Sequence, residues 1–264
     1  MSKKIQWNGA LQQEGLVVLS QLGGLIVSPT KVGYILIAAD LHGLKRKFDA
    51  KQRKKTKPAV VLCGSMDEFM ALAEYDETIL KLYQMHWDQD VLLGCILPWS
   101  EQGKKRLVQA GTEELATDGR ATSCFVIKFG LPSEKIAAAM WDQGRILFAS
   151  SANPSGLGNK GKVAGIGERI EQAADLVICA DDYVSSIQPD KNESSRYAQG
   201  VMLSFVDDQG HLISDNSAPP YPALIRKGLD VDKIMLNLST LYDRWDYRQG
   251  DYYYCLLYTS DAAD

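Results

Sequence analysis

The sequence predicts an α/β protein built as one main domain. Two observations carry this. Short runs rich in Val, Ile and Leu alternate with segments of helical periodicity along almost the whole chain, and no stretch has linker composition or repeats at a solenoid period. The 264 residues are 45% hydrophobic and 23% charged, enough chain for a sizeable core and without the composition of disorder.

The elements follow in order. Gly15–Gln21 is amphipathic, Gly23-Gly24 breaks it, and Leu25–Val27 is a short apolar strand. After Pro29-Thr30, Val32–Ile37 reads as a second strand and Leu41–Ala50 as a helix. Ala59–Leu62 has the apolar density of a buried strand; Met66–Ala73 and Thr78–His86 have helical spacing. Val91–Leu97 and Phe125–Lys128 are further strands, Ser133–Trp141 a helix, and Ile146–Ala149 a strand running into the loop Ser150–Gly156. Glu168–Ala174 reads as helix, and Leu176–Ile178, Val201–Val206 and Ala223–Ile225 as strands, with an exposed loop over Gly210–Pro222 before the last.

Several classes drop out. No apolar run approaches the ~18 residues of a membrane span. Met1–Trp7 carries charges with no apolar stretch behind it, unlike a secretory signal. Cys63, Cys95, Cys124 and Cys179 sit singly in apolar runs, with no CxxC pair and no His at ligand spacing, as buried reduced thiols do. These features give a cytoplasmic expectation, with no membrane and no resident metal site. Cys255–Asp264 resembles a translated sequencing adapter and is set outside the fold.

Charge is unevenly spread. Residues 45–57 hold eight basic side chains against one acid, a net +7 in a chain of −4, so the remainder carries −11. A cationic segment on an acidic protein attracts phosphates or an RNA backbone. Phe48 is the one aromatic within it, too few for a base-stacking platform. Ser150, Ser151, Asn153 and Ser155, with Gly156, follow directly on a strand, where hydroxyls, an amide and free backbone N–H groups suit phosphate or sugar oxygens. Taken alone, the same residues are ordinary turn chemistry.

Together, Pro29-Thr30, Lys51-x-Arg53 with Lys57-Pro58, Ser151-x-Asn153 with Ser155-Gly156, and Ile225-Arg226-Lys227-Gly228 resemble the KxR…SxN signature of the YrdC family of threonylcarbamoyl-AMP synthases, over about Gly23–Gly228. The resemblance implies a twisted, concave mixed β-sheet flanked by helices, spanning residues 10–230, with 231–254 as a C-terminal extension. It implies an enzyme that condenses bicarbonate, L-threonine and ATP into threonylcarbamoyl-AMP and pyrophosphate for the t⁶A modification of tRNA. Lys51 and Arg53 would be catalytic and hold the ATP phosphates with Lys57, Ser151, Asn153, Ser195 and Arg226. Thr30, Tyr34 and Lys128 would contact the amino acid, and Mg²⁺ would accompany the triphosphate.

The chain also departs from the family pattern. Trp87-Asp88-Gln89-Asp90-Val91-Leu92 stands where the family has Trp-Pro-Gly-Pro-x-Thr, and Lys128 stands where it has Arg. Asp88 and Asp90 near a triphosphate would repel it unless a metal intervened. Lys31 falls where the family commonly has an acid, which favours a different, acidic acceptor. Two alternatives therefore stand beside the synthase: a paralogue making a carbamoyl-adenylate on another acceptor, and a non-catalytic double-stranded RNA or tRNA-binding module. His42, His86 and His211 are scattered, no GxSxG elbow supports a triad through Ser151, and neither Walker A nor GxGxxG occurs.

Overall fold

The computed structural model describes residues 2–52, 57–154, 158–192, 195–214 and 217–248. β1 (Lys3–Gln6) and α1 (Gln13–Ser20) precede the antiparallel pair β2 (Leu25–Thr30) and β3 (Gly33–Ala38), followed by α2 (Leu41–Lys51). Next come β4 (Val60–Leu62), α3 (Met66–Leu72), α4 (Glu77–Asp88) and β5 (Leu93–Pro98). Then α5 (Glu101–Ala110), α6 (Glu113–Ala116), β6 (Thr122–Ile127), α7 (Leu131–Asp142) and β7 (Leu147–Ser151) complete the centre. The remaining elements are α8 (Glu168–Ala173), β8 (Leu176–Cys179), α9 (Asp181–Ile187), β9 (Met202–Ser204), β10 (Ala223–Arg226), α10 (Val231–Ser239) and β11 (Asp246–Tyr247).

All the strands join one open sheet in the order β1-β8-β2-β3-β7-β4-β6-β5-β9-β10-β11. Pairing is mixed: β4 lies parallel to β6 but antiparallel to β7, and β5 antiparallel to β6 but parallel to β9. β2, β5 and β8 are buried at every position, which is why Leu25–Val27 and Leu176–Ile178 read as unbroken apolar runs. The expected α/β architecture, a mixed open sheet flanked by helices, is what the chain forms.

Helix starts are set by side-chain caps. Asp40, Ser65, Asp76 and Ser100 each accept the backbone N–H three residues on, opening α2, α3, α4 and α5. Four helices and the two edge strands, β1 and β11, escaped the sequence reading. α5 buries only Gly103 and Leu107, α6 and α9 are 4 and 7 residues long, and β1 has no buried residue. The fourth, α10, falls in the segment 231–254. It packs on α4, where Asn237 Nδ2 lies 3.4 Å from His86 Nε2 and donates to Gln89 at 2.9 Å.

His86 is fully buried, with Nδ1 2.7 Å from the Leu82 carbonyl, so it is part of this helix junction. Cys63, Cys95, Cys124 and Cys179 are buried and free. Among the described residues no helix is long and apolar enough to cross a membrane.

Candidate functional site

Strand alternation decides which side chains can reach a ligand. Val60 and Leu62 in β4, Cys124 and Val126 in β6, and Ala149 and Ser151 in β7 share one face. Val61, Phe125 and Phe148 point into the larger core beneath the other face. On the first face α1 and α7 pack Leu19, Ile136 and Met140 against Ile26, Ile37, Leu147 and Ile178. Where those helices stop there is a cavity of about 230 Å³. Its walls are the β2–β3 turn, the segment after β7, residues 196–202 and Arg226 at the end of β10.

The two sequence motifs meet at this cavity. Lys51, the last residue of α2, directs its ammonium to the Ser151 carbonyl, to the Ser151 hydroxyl at 3.2 Å and to the Asn153 carbonyl at 3.2 Å. Lys57 and Asn153, both buried, line the same space. Arg226 enters from the opposite side, its Nε donating to the Gly200 carbonyl at 2.9 Å, and Arg196 lines the rim. The described lining thus holds four cations, Lys51, Lys57, Arg196 and Arg226, and no carboxylate. Such a wall attracts anionic groups. Arg53, Ser155, Gly156 and Ser194, which precedes Ser195 and is expected with it at the cavity, lie outside the described residues.

The amino-acid contacts expected from the sequence are arranged differently. Thr30 and Tyr34 line the cavity, but their hydroxyls are used within the protein. Thr30 Oγ1 donates to Gly33 O at 2.7 Å and accepts from Val32 N at 3.2 Å, closing the β2–β3 turn. Tyr34 Oη donates to Asp181 at 2.6 Å and accepts from Ala180 N at 2.9 Å, at the start of α9. Burial, then the bond to Asp181, holds this phenol well above its ordinary pKa.

Lys128 does not line the cavity; its ammonium is 3.1 Å from Asp90 and 3.8 Å from Glu134, and 4.5 Å from the centre of the Trp87 ring. Ser195 is bonded to Asn192 in its own loop, and the neighbouring Arg196 takes the place at the rim.

Lys31 and Asp90 form the other half of that cluster. Lys31 is buried, with its ammonium 2.8 Å from the Asp90 carboxylate and also on the Asp90 carbonyl. Burial alone would raise the Asp90 pKa, but the bonds from Lys31 and Lys128 outweigh it and hold the carboxyl below its ordinary value. The acid that would repel a triphosphate is therefore neutralised by two lysines, and neither Lys31 nor Asp90 lines the cavity. Asp88 accepts from Gln84 at 2.8 Å on the exposed side of α4. Among the described residues no three His, Cys, Asp or Glu side chains converge as metal ligands would.

The basic run is split by the fold. Arg46 makes a two-pronged pair with Asp175 at 2.7 and 2.9 Å and caps the Gly23 and Ala173 carbonyls, tying α2 to the α8–β8 turn. Lys47 is buried above the Phe48 ring, and Lys51 and Lys57 line the cavity. Of the five described cations only Lys45 is exposed.

Asn159 and Gln199 complete the lining without a sequence signal. The Asn159 amide lies over the turn, its Nδ2 on the Val32 carbonyl and its Oδ1 accepting from Gly161 N at 2.8 Å. Gly33 makes room for it: φ is +106°, and a Cβ there would fall 1.9 Å from the Asn159 side chain.

Comparison with known proteins agrees with this geometry. Residues 19–191 match the Sua5/YciO/YrdC family model, described as "Telomere recombination". No curated protein sequence matches the chain. The crystal structure of a hypothetical protein from Streptococcus mutans is 55% identical, with a TM-score of 0.88 over 96% of this chain and all of that one. Sua5 from P. abyssi, complexed with L-threonine, shares the fold at 19% identity and TM-score 0.65, over the whole of this chain and 67% of that one. E. coli YciO shares it at 18% identity and TM-score 0.61, over 87% of this chain and 97% of that one. With about two thirds of its length inside the family model and the KxR lysine resting on the SxN serine, the chain belongs to the Sua5/YciO/YrdC family.

Proposed function

We propose that this protein makes a carbamoyl-adenylate: it joins bicarbonate to the amine of an amino acid and transfers AMP from ATP to the product. In the first step the amine and bicarbonate give a carbamate and water. In the second a carbamate oxygen attacks the α-phosphorus; the new P–O bond forms as the bond to the bridging oxygen breaks, and pyrophosphate leaves. The observation that carries this reading is the cavity wall of four cations without a carboxylate, centred on the Lys51–Ser151 contact.

Charge builds on phosphate oxygens as pyrophosphate departs, and fixed cations stabilise it where water is excluded. Lys51 and Lys57 would hold the phosphates from the α2 side. The Lys51 ammonium is already oriented by the protein, so little is lost in ordering it. Mg²⁺ would arrive as part of the nucleotide substrate, since no carboxylate lines the described cavity to hold it beforehand. Delivery of the product to tRNA for t⁶A formation is the expected use. An RNA-binding role without catalysis is less well supported, because most of the described basic run is turned into the protein.

The test is pyrophosphate release from ATP and bicarbonate, with each proteinogenic amino acid in turn and Lys51→Ala as control. Release that needs an amino acid and disappears in the variant supports the reading. No release with any amino acid would overturn it.

A further inference from the structure

Resting on the adenylation reading, we infer that Gln188 is a positioning residue for the reaction: its side-chain amide fixes the spacing of two cavity walls. The residue is buried at the end of α9. Its Nε2 donates to the Lys31 carbonyl at 3.0 Å, and its Oε1 accepts from the Ala198 N–H at 2.8 Å. The second N–H faces the Ala198 carbonyl at 3.5 Å. One side chain thereby joins the β2–β3 turn to the segment 196–202. Thr30 and Val32, on either side of Lys31, line the cavity, as do Arg196, Gln199 and Gly200 around Ala198; Gln188 does not. An amide suits the place, because a buried carbonyl on one side and a buried N–H on the other both need a partner.

The helix makes this amide a strut. At the start of α9, Tyr34 Oη accepts from Ala180 N and donates to Asp181, which fastens the helix to β3. At its other end Gln188 holds the turn, so one hairpin grips both ends of α9. A second link runs beside the first. Asn159 Nδ2 is on the Val32 carbonyl, and the Asn159 carbonyl accepts from Tyr197 N at 3.0 Å. Two consecutive carbonyls of the turn are thus tied, through two amide side chains, to two consecutive N–H groups of the segment.

The far side of the segment leads to Arg226. Gln199 O accepts from Leu229 N at 2.8 Å, and Gly200 O from Arg226 Nε at 2.9 Å. A Cβ on Gly228 would fall 2.1 Å from Gln199 O, so the backbones meet here without room to slide. Arg226 stands opposite Lys51 and Lys57, and slack at Ala198 would change the spacing of the cations across the substrate. A misplacement of about 1 Å can cost on the order of 10²-fold in rate.

The experiment measures pyrophosphate release, with the amino acid that gives the fastest turnover, for the wild type, Gln188→Met, Gln188→Asn and Asn237→Ala, alongside urea midpoints. Methionine fills the space without the amide, and asparagine keeps the amide but is one methylene too short to reach both walls. Asn237 is buried in the α4–α10 junction and does not line the cavity, so its loss reports destabilisation alone. Both Gln188 variants should lose kcat by about 10- to 100-fold with KM for ATP within about threefold, the pattern of an arrangement needed in the transition state. Asn237→Ala should keep its kcat. If Gln188→Met does not fold, Gln188→Asn decides alone. Wild-type kcat in the Gln188 variants, whatever their KM, overturns the inference and leaves adenylation standing, as does an equal loss of kcat in Asn237→Ala. No release by the wild type with any amino acid overturns both.

Discussion

The Lys51 ammonium lies 3.2 Å from the Ser151 hydroxyl, joining the end of α2 to the end of β7 across 100 positions of sequence. The same ammonium reaches the Ser151 and Asn153 carbonyls, so its charge orders the loop that would face it across a ligand. Lys51→Met keeps the apolar stem and removes the donor. Turnover should fall by at least ~10²-fold, the usual loss on deleting one stabilising group for developing oxyanion charge. Stability should drop by only about 1–2 kcal/mol, because relief of a buried ammonium offsets part of the lost hydrogen bonding. Steady-state kinetics and urea midpoints measure the two separately; full turnover in the variant would reduce Lys51 to a loop anchor.

Asp90 provides a second test. Its backbone is left-handed, φ +53°, which asparagine tolerates, so Asp90→Asn removes charge while keeping the turn. Lys31, nearly buried, and Lys128 then lose their shared counter-ion. The loss should be about 1 kcal/mol at neutral pH, modest because the Asp90 side chain is 66% exposed. With a folded pKa held below 3.8, Asp90 contributes its stability above that value and surrenders it as pH falls through the depressed pKa. The gap between the two proteins in urea should therefore persist at pH 5 and close only in strong acid.

How much of this was legible beforehand follows from what each feature depends on. Buried strands such as Leu25–Val27 and Leu176–Ile178 announce themselves, because residues buried on both faces must be apolar throughout. Lys51, Lys57, Ser151, Asn153 and Arg226 were legible through motif order, and the fold brings all five to one cavity. Lys128, Lys31 and Asp90 were not, since a pairing between three separate turns leaves no local pattern. Likewise nothing near Asn159 or Arg196 marks them as lining residues; their positions depend on loops that pack over Gly33 and Gly158. The fates of the Thr30 and Tyr34 hydroxyls needed the hydrogen bonds themselves.

The contact between Gly33 and Asn159 gives a third prediction. Gly33→Ala combines a positive φ with a Cβ 1.9 Å from the amide, so it should cost about 1–3 kcal/mol and displace Asn159 from the cavity edge. Adding Asn159→Ala removes the clash but leaves the backbone strain. The double variant should therefore recover only part of the loss in thermal unfolding; full recovery would show that the strain is negligible.

The last prediction concerns a carboxyl remote from the cavity. Glu68 is buried on α3, one oxygen accepting from Gly64 N at 2.7 Å and the other without a hydrogen-bond partner among the described residues. Burial pushes its pKa up to about 8, opposed by the Gly64 N–H and the Arg106 guanidinium and reinforced by Asp142. Between the ordinary value of 4.5 and about 8, the folded protein keeps a proton that the unfolded chain has released. Stability must then fall as pH rises through this window, by at most about 1.4 kcal/mol per pH unit, and level off above it. Buried His86, whose pKa burial lowers from 6.5, acts in the opposite sense on the acidic side of that value. The comparison with Glu68→Gln isolates the carboxyl, because His86 is present in both proteins. Urea midpoints from pH 5 to 9 should decline more steeply for the wild type than for the variant. Parallel profiles would mean that Glu68 is already ionised at neutral pH.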